Sequence, residues 1–137
     1  MEYQGDDRRA YKRIKTPGVT VSYKQEKFFS SKKQYGEELH AVVDISRGGM
    51  RFMGHRLFTT ASNISLKIFI PAENSPLILK GRVRWTSLNP TTIFKSQVGV
   101  QFNPFGIKKG HNHPEILEKI IELEKKFLID DKAFVHQ

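Results

Sequence analysis

Arginines near the start of the chain have the type and spacing to bind an anionic ligand. Arg9 and Arg13 form an R-x-x-x-R pattern, and Arg8 directly precedes it. A guanidinium group can bind phosphate through two parallel hydrogen bonds, stack on a purine face, or pair with the O6 and N7 atoms of guanine. The ammonium group of lysine does this less well, because its charge is compact and strongly hydrated. The arginines are therefore better candidates than the neighbouring Lys12 and Lys15.

A second set of candidates follows in the pattern D-x-S-x-x-G. Asp44 supplies a carboxylate that can accept hydrogen bonds from guanine N1–H and N2–H₂, and Ser46 supplies a hydroxyl that donates or accepts. Gly49 has no Cβ atom, so a ligand can approach the backbone there. Arginine donors and an aspartate acceptor suit opposite edges of one base. Together the two patterns predict a binding site.

Each pattern also has an ordinary structural explanation. Charges near a terminus commonly form a solvated basic arm, and an R-x-x-x-R pattern arises by chance in a chain with 23 Lys and Arg residues. A carboxylate before Gly-Gly is a common turn cap, and the Ser46 hydroxyl is a common turn group. The presence of both patterns favours ligand binding, with which a turn-capping role can coexist.

Catalysis and metal binding have little support. His111 and His113 lack an evident third metal ligand, and the chain has no cysteine. No G-x-x-x-x-G-K pattern, paired acid motif or suggestive combination of Ser, His and carboxylate occurs. We therefore expect neither a metal site nor an enzyme, and we expect Trp85 in the core.

The composition predicts one small globular domain with a basic surface. The chain has 137 residues, is 38% hydrophobic and carries a net charge of +9. This charge favours an anionic partner and leaves nucleic acid, a nucleotide and a membrane surface open. The N-terminus has no apolar segment typical of a secretory signal, and no run approaches the roughly 20 apolar residues of a membrane span. We expect a cytoplasmic protein without membrane insertion.

The candidate residues are expected on a β-rich scaffold. Alternating apolar residues predict about six antiparallel strands, typical of a barrel or sandwich, and Gly48-Gly49 is expected to allow a reversal at positive φ. The period then changes to that of one amphipathic helix beginning near Pro114, with a frayed tail at 130–137. The predicted strands lie around residues 19–25, 39–46, 50–53, 65–70, 79–85 and 97–102.

The two patterns, in this order and strand context, resemble the signature of the PilZ domain family. The resemblance continues through Gly81-Arg-Val-Arg-Trp85, Val98-Gly-Val-Gln-Phe102 and the final helix, and covers roughly residues 7–128. It implies a single PilZ domain over residues 1–137. Its parts would be a flexible Arg-rich arm (1–18), a six-stranded antiparallel PilZ-type β-barrel (19–106), and a helix and tail (107–137).

The resemblance also implies a receptor for cyclic di-GMP that uses no other cofactor. The arm is expected to change conformation on binding and to signal to a downstream effector protein. An arginine directly before the R-x-x-x-R pattern further implies that two ligands bind per chain, as an intercalated dimer. The implied ligand-binding residues are Arg8, Arg9, Arg13, Asp44, Ser46 and Gly49.

Two alternatives remain open. A small basic β-barrel can bind RNA or single-stranded DNA through stacked aromatic side chains and lysines that follow the backbone, although the two patterns make nucleic acid the weaker candidate. A PilZ-type fold can also act as a protein adaptor without nucleotide. Degenerate relatives of that kind typically lack the arginines or the D-x-S-x-x-G residues, and this chain has both.

Overall fold

A computed structural model of the chain describes residues 13–25, 38–54, 58–89 and 92–135. Arg8 and Arg9 lie outside the described residues. The described part of the chain contains seven strands and one helix: β1 (Ile14–Lys15), β2 (Thr20–Gln25), β3 (His40–Ile45), β4 (Gly49–Gly54), β5 (Asn63–Phe69), β6 (Leu77–Asn89), β7 (Thr92–Phe102) and α1 (Pro114–Val135).

Six of these strands close into an antiparallel barrel. Their order is β3-β2-β5-β6-β7-β4, and β4 pairs back with β3. The predicted six-stranded antiparallel barrel with one C-terminal helix is thus confirmed. The seventh strand, β1, is additional and pairs with β3 beside the short β2–β3 ladder.

β1 and β2 form one interrupted strand along β3. At the interruption, Gly18 has a φ of 84°, a conformation that favours glycine, and the Val19 N–H donates to the Thr16 carbonyl at 3.1 Å. Ile14 is only 4% exposed and packs into the core. The end of the segment predicted as an arm therefore belongs to the sheet, because the Pro-Gly turn bends the chain without ending its pairing with β3.

Alternate side chains fill the interior of the barrel. Phe52, Leu79 and Val98 have no exposed surface, and burial of each such side chain stabilises the fold by about 1.5–3 kcal/mol. Tyr23, Phe52 and Phe58 form an aromatic cluster with ring centroids 5.0 to 6.0 Å apart. This packing makes the barrel a rigid support for groups on its outer surface.

Helix α1 packs its apolar face against the barrel. Ile120 and Leu123 join the same buried cluster as Ile14. At the start of the helix, the Glu115 N–H donates to Nδ1 of His113 at 3.1 Å, which satisfies one of the free amides there. The helix continues to Val135, so the predicted fraying from residue 130 is wrong up to that point; residues 130–135 contain no Gly or Pro to end it. Across the described ranges, no helix is both long enough and apolar enough to span a bilayer.

Asn112 anchors the segment between β7 and α1. Its side chain accepts a hydrogen bond from the Lys80 N–H at 2.7 Å and donates to the carbonyls of Lys80 and Asn103 at 2.9 and 3.0 Å. Asn112 is 4% exposed. The segment that contains His111 and His113 is thus held by a buried asparagine, and no group of three or more potential metal ligands occurs within the described residues.

Candidate functional site

A β-bulge in β3 turns Asp44 to the outer surface of the barrel. Val42 is buried in the core, and strict alternation would point Asp44 inward as well. The pairing shifts by one residue at Val43, so Asp44 lies opposite Arg51 on β4. Ile45 takes the inward position instead and is 1% exposed.

A second bulge, in β6, turns Trp85 outward. Val83 pairs with Val100 inside the barrel, but Trp85 pairs with Gly99, so Arg84 is the extra residue. The bulge reverses the inward and outward phase of the strand. The prediction of a core Trp85 was therefore wrong, because it continued the alternation of β6 through the bulge.

The two bulges place Asp44 and Trp85 in one row of cross-strand neighbours that runs over five strands. On the outer surface the cross-strand neighbours are, from β1 to β6, Lys15, Asp44, Arg51, Gly99 and Trp85. A Cβ atom on Gly99 would lie 2.5 Å from Nε1 and 2.7 Å from Cζ2 of the indole. The Trp85 ring therefore lies directly over the backbone of β7.

Three residues of the row, Arg51, Gly99 and Trp85, line an open cleft of about 460 Å³. Small-molecule sites usually have volumes of about 300–1,000 Å³. Among the described lining residues, three are arginines and none is acidic, so the cleft favours an anion. The lining residues are Arg13, Ser46, Gly48, Gly49, Met50, Arg51, Arg84, Trp85, Gly99, Val100 and Gln101.

A second cleft has a different character. It has a volume of about 410 Å³ and lies between residues 70–77 and helix α1. Two glutamates, Glu73 and Glu122, and two lysines, Lys119 and Lys126, line it. Its charges balance, so the first cleft is the better site for an anionic ligand.

Asp44 is paired with Arg51 at the back of the first cleft. Nε of Arg51 donates to both carboxylate oxygens at 3.1 and 2.9 Å, and its Nη2 donates to Oδ2. The hydrogen bond to Asp44 raises the pKa of Arg51, so the guanidinium stays charged. Asp44 is 5% exposed and is not among the lining residues. In this arrangement the carboxylate orients Arg51, and its predicted contact with a base stays a prediction.

Ser46 and Gly49 belong to the turn between β3 and β4. The Ser46 N–H donates to the Gly49 carbonyl at 2.7 Å, and the Gly48 N–H donates to Oγ of Ser46 at 3.2 Å. Neither glycine has a positive φ, so that prediction was wrong. A Cβ on Gly49 would instead overlap the carbonyl oxygen of Val100 and lie 3.3 Å from its carbon. Close approach of the β4 and β7 backbones requires glycine at this position.

Sequence comparison identifies the family. The profile of the PilZ domain family matches residues 7–112. The chain belongs to the PilZ domain family. The resemblance inferred from the two motifs is thereby confirmed, and membership makes this PilZ domain a binding domain and not an enzyme. A search of curated protein sequences finds no match to it.

The PilZ domain also resembles solved structures at low sequence identity. One of them is the structure described as the PilZ domain with c-di-GMP of YcgR from Escherichia coli. The TM-score is 0.63 and the sequence identity is 13%, and the match covers 95% of this chain and 98% of that chain. For the K. pneumonia MrkH–c-di-GMP complex the TM-score is 0.64 and the identity is 16%, and the match covers 92% of this chain and 55% of that chain. For the Bacillus subtilis inhibitor of motility MotI/DgrA the TM-score is 0.53 and the identity is 17%, and the match covers 87% of this chain and 52% of that chain. The PilZ domain spans about half of the last two chains, and these similarities show a shared fold.

The cleft brings together part of the predicted site. Arg13, Ser46 and Gly49 line it, and Asp44 lies behind its wall. Arg8 and Arg9, the other two predicted site residues, lie outside the described residues.

Sequence reasoning missed Arg51, Arg84 and Trp85. A hairpin centred on the turn that begins at Ser46 would have placed Arg51 opposite Asp44, so that signal was available. The other two positions depend on the bulge in β6, which composition and alternation do not reveal.

Proposed function

We propose that this PilZ domain is a receptor for cyclic di-GMP. The observation that carries the proposal is that Arg13 of the R-x-x-x-R motif and Ser46 and Gly49 of the D-x-S-x-x-G motif line one cleft. The similar YcgR domain and MrkH structures contain c-di-GMP, which supports the same ligand here. Cyclic di-GMP has two phosphodiester groups and two guanines, and a basic cleft with a half-buried indole on its wall suits both.

Four of the lining side chains have a chemical role in this proposal. Arg13 and Arg84 pair with phosphate oxygens or with guanine O6 and N7. The indole of Trp85 stacks on a guanine, an interaction of about 1–3 kcal/mol per base. Arg51, oriented by Asp44, adds a third cation whose direction is set before the ligand arrives.

The arm of residues 1–18 is proposed to change conformation on binding. Ile14 is buried and β1 pairs with β3, so the end of the arm is attached to the barrel next to Arg13. From that attachment Arg8 and Arg9 can close over a ligand that Arg13 already faces. The rearranged surface would then be recognised by a downstream effector protein.

Calorimetry with cyclic di-GMP tests the proposal. Loss of a hydrogen bond to a charged group costs about 1.5–3 kcal/mol, so Arg13→Ala should raise the Kd about ten- to hundredfold, and Arg9→Ala with Arg13→Ala should raise it further. Lys119→Ala removes an exposed positive charge that lines the second cleft and not the first, so it should leave the Kd unchanged. A stoichiometry of two would support the intercalated dimer, and a value of one would exclude it.

Competition with oligonucleotides distinguishes the alternatives. RNA or single-stranded DNA that binds more tightly than cyclic di-GMP, with a steep dependence on salt, would replace this proposal with nucleic-acid binding. If wild type binds neither, the adaptor without nucleotide is the better explanation.

A further inference from the structure

A guanidinium–carboxylate pair ties the turn between β3 and β4 to helix α1. Arg47 lies in that turn, between Ser46 and Gly48, and reaches Glu124 on the helix. Its Nε donates to the two carboxylate oxygens at 3.2 and 3.0 Å, and its Nη2 donates to one of them at 2.9 Å. The two side chains are separated by 77 residues in sequence, so the contact joins distant parts of the fold.

The position of the carboxylate is set by the packing of the helix. Glu124 directly follows Leu123, and both Leu123 and Ile120 are buried in the core. The Glu124 side chain is 11% exposed, so without its partner it would remain poorly hydrated. Two parallel N–H···O bonds define the direction as well as the distance of a guanidinium. The helix therefore determines where Arg47 lies.

Arg47 in turn restrains the groups that line the candidate ligand site. The residues on either side of it carry the hydrogen bonds of the turn, from Ser46 to Gly49 and from Gly48 to Ser46. The Gly48 carbonyl also accepts a hydrogen bond from the Phe102 N–H on β7 at 2.8 Å. The turn is thus held by β7 through its backbone and by helix α1 through Arg47.

We propose that Glu124 is a positioning residue of the ligand site: through Arg47 it holds the turn of Ser46 to Gly49 in the geometry that binds cyclic di-GMP. This inference rests on the proposed function and adds a contribution from the helix to it. Because binding linkage is reciprocal, an occupied cleft stabilises the helix contact by the same factor by which the contact strengthens binding. The position of helix α1 is then coupled to occupancy of the cleft.

The test compares Glu124→Gln with Glu122→Gln in the full chain. Both changes remove one negative charge from the same helix, but Glu122 is exposed and does not face the turn. We expect Glu124→Gln to raise the Kd for cyclic di-GMP about 5- to 30-fold in calorimetry. Without ligand, it should also speed hydrogen exchange of the Ser46 and Gly48 amides about tenfold, as measured by NMR. The control should change neither quantity.

Three results test the positioning role of Glu124. If Glu124→Gln lowers the melting temperature while the Kd and the amide exchange stay unchanged, Glu124 is only structural and the proposal is wrong. If wild type does not bind cyclic di-GMP, the proposed function fails, and the exchange of the turn amides alone decides the positioning role. If Glu124→Gln does not fold, Arg47→Lys takes its place, since it keeps the charge but loses the paired hydrogen bonds; unchanged exchange in that variant would overturn the proposal.

Discussion

Replacement of Gly49 with alanine separates two explanations for this glycine. The sequence suggested that a Cβ atom at residue 49 would keep a ligand away from the backbone. In the structure that Cβ would overlap the carbonyl oxygen of Val100 and lie 3.4 Å from Cα of Gln101. The first explanation predicts weaker binding with normal stability, and the second predicts lower stability even without ligand.

The magnitude follows from the atoms that must move. The overlap is with backbone, which cannot rotate away as a side chain can, so β4 and β7 must separate by about 1 Å at this point. Overpacking of this kind costs about 2–3 kcal/mol. For a domain of this length, that loss should lower the melting temperature by about 6–12 °C.

Thermal unfolding followed by circular dichroism measures the effect. Gly54→Ala is a matched control on the same strand, because its Cβ would meet only side chains, at 3.2 Å from Phe58 and 3.3 Å from Val98. The adjustment needed there is a few tenths of an ångström instead of about 1 Å, so the control should lose about 1 kcal/mol, clearly less than Gly49→Ala. If Gly49→Ala has the same melting temperature as wild type and yet fails to bind cyclic di-GMP, the backbone explanation is refuted.

Three further changes test other features of the fold and the cleft. Asn112→Ala removes three hydrogen bonds and should lower the free energy of unfolding by about 3 kcal/mol in urea titration; a loss under about 1 kcal/mol would contradict the anchoring role. Gly99→Ala should displace the indole of Trp85 and weaken cyclic di-GMP binding about tenfold in calorimetry, with no additional loss when combined with Trp85→Ala; additive losses would mean that the two act separately. Asp44→Ala removes the partner of a guanidinium whose side chain is 30% exposed, so we expect a loss of about 2 kcal/mol in urea, between the values for exposed and buried pairs; an unchanged midpoint would show that the pair contributes nothing to stability.

The regular parts of the barrel were predictable from sequence. In β5 and in residues 96–102 of β7 the inward side chains alternate regularly, as with Leu66 and Ile68 or Val98 and Val100, and one buried face is enough to specify such a strand. The helix was predictable for the same reason, since Ile120 and Leu123 mark its buried face.

The orientation of Asp44 and Trp85 was not predictable in this way. A bulge changes which face a residue occupies without changing composition, and it shows only in the register with which the strand pairs with its neighbour. Val43 resembles any other strand valine, and Arg84 continues the alternation of Arg82. The motifs identified candidate residues, whereas the ladder of β3 with β4 and that of β6 with β7 determine which of them reach the cleft.

The placement of Trp85 has a practical consequence. It is the chain's only tryptophan, and its indole lies over Gly99 on the wall of the cleft. Its fluorescence therefore comes from the candidate site alone, with no background from a second indole elsewhere. A guanine stacked on the ring should quench or shift that emission, so the unlabelled protein carries its own optical reporter of occupancy and ligands can be screened by titration in solution.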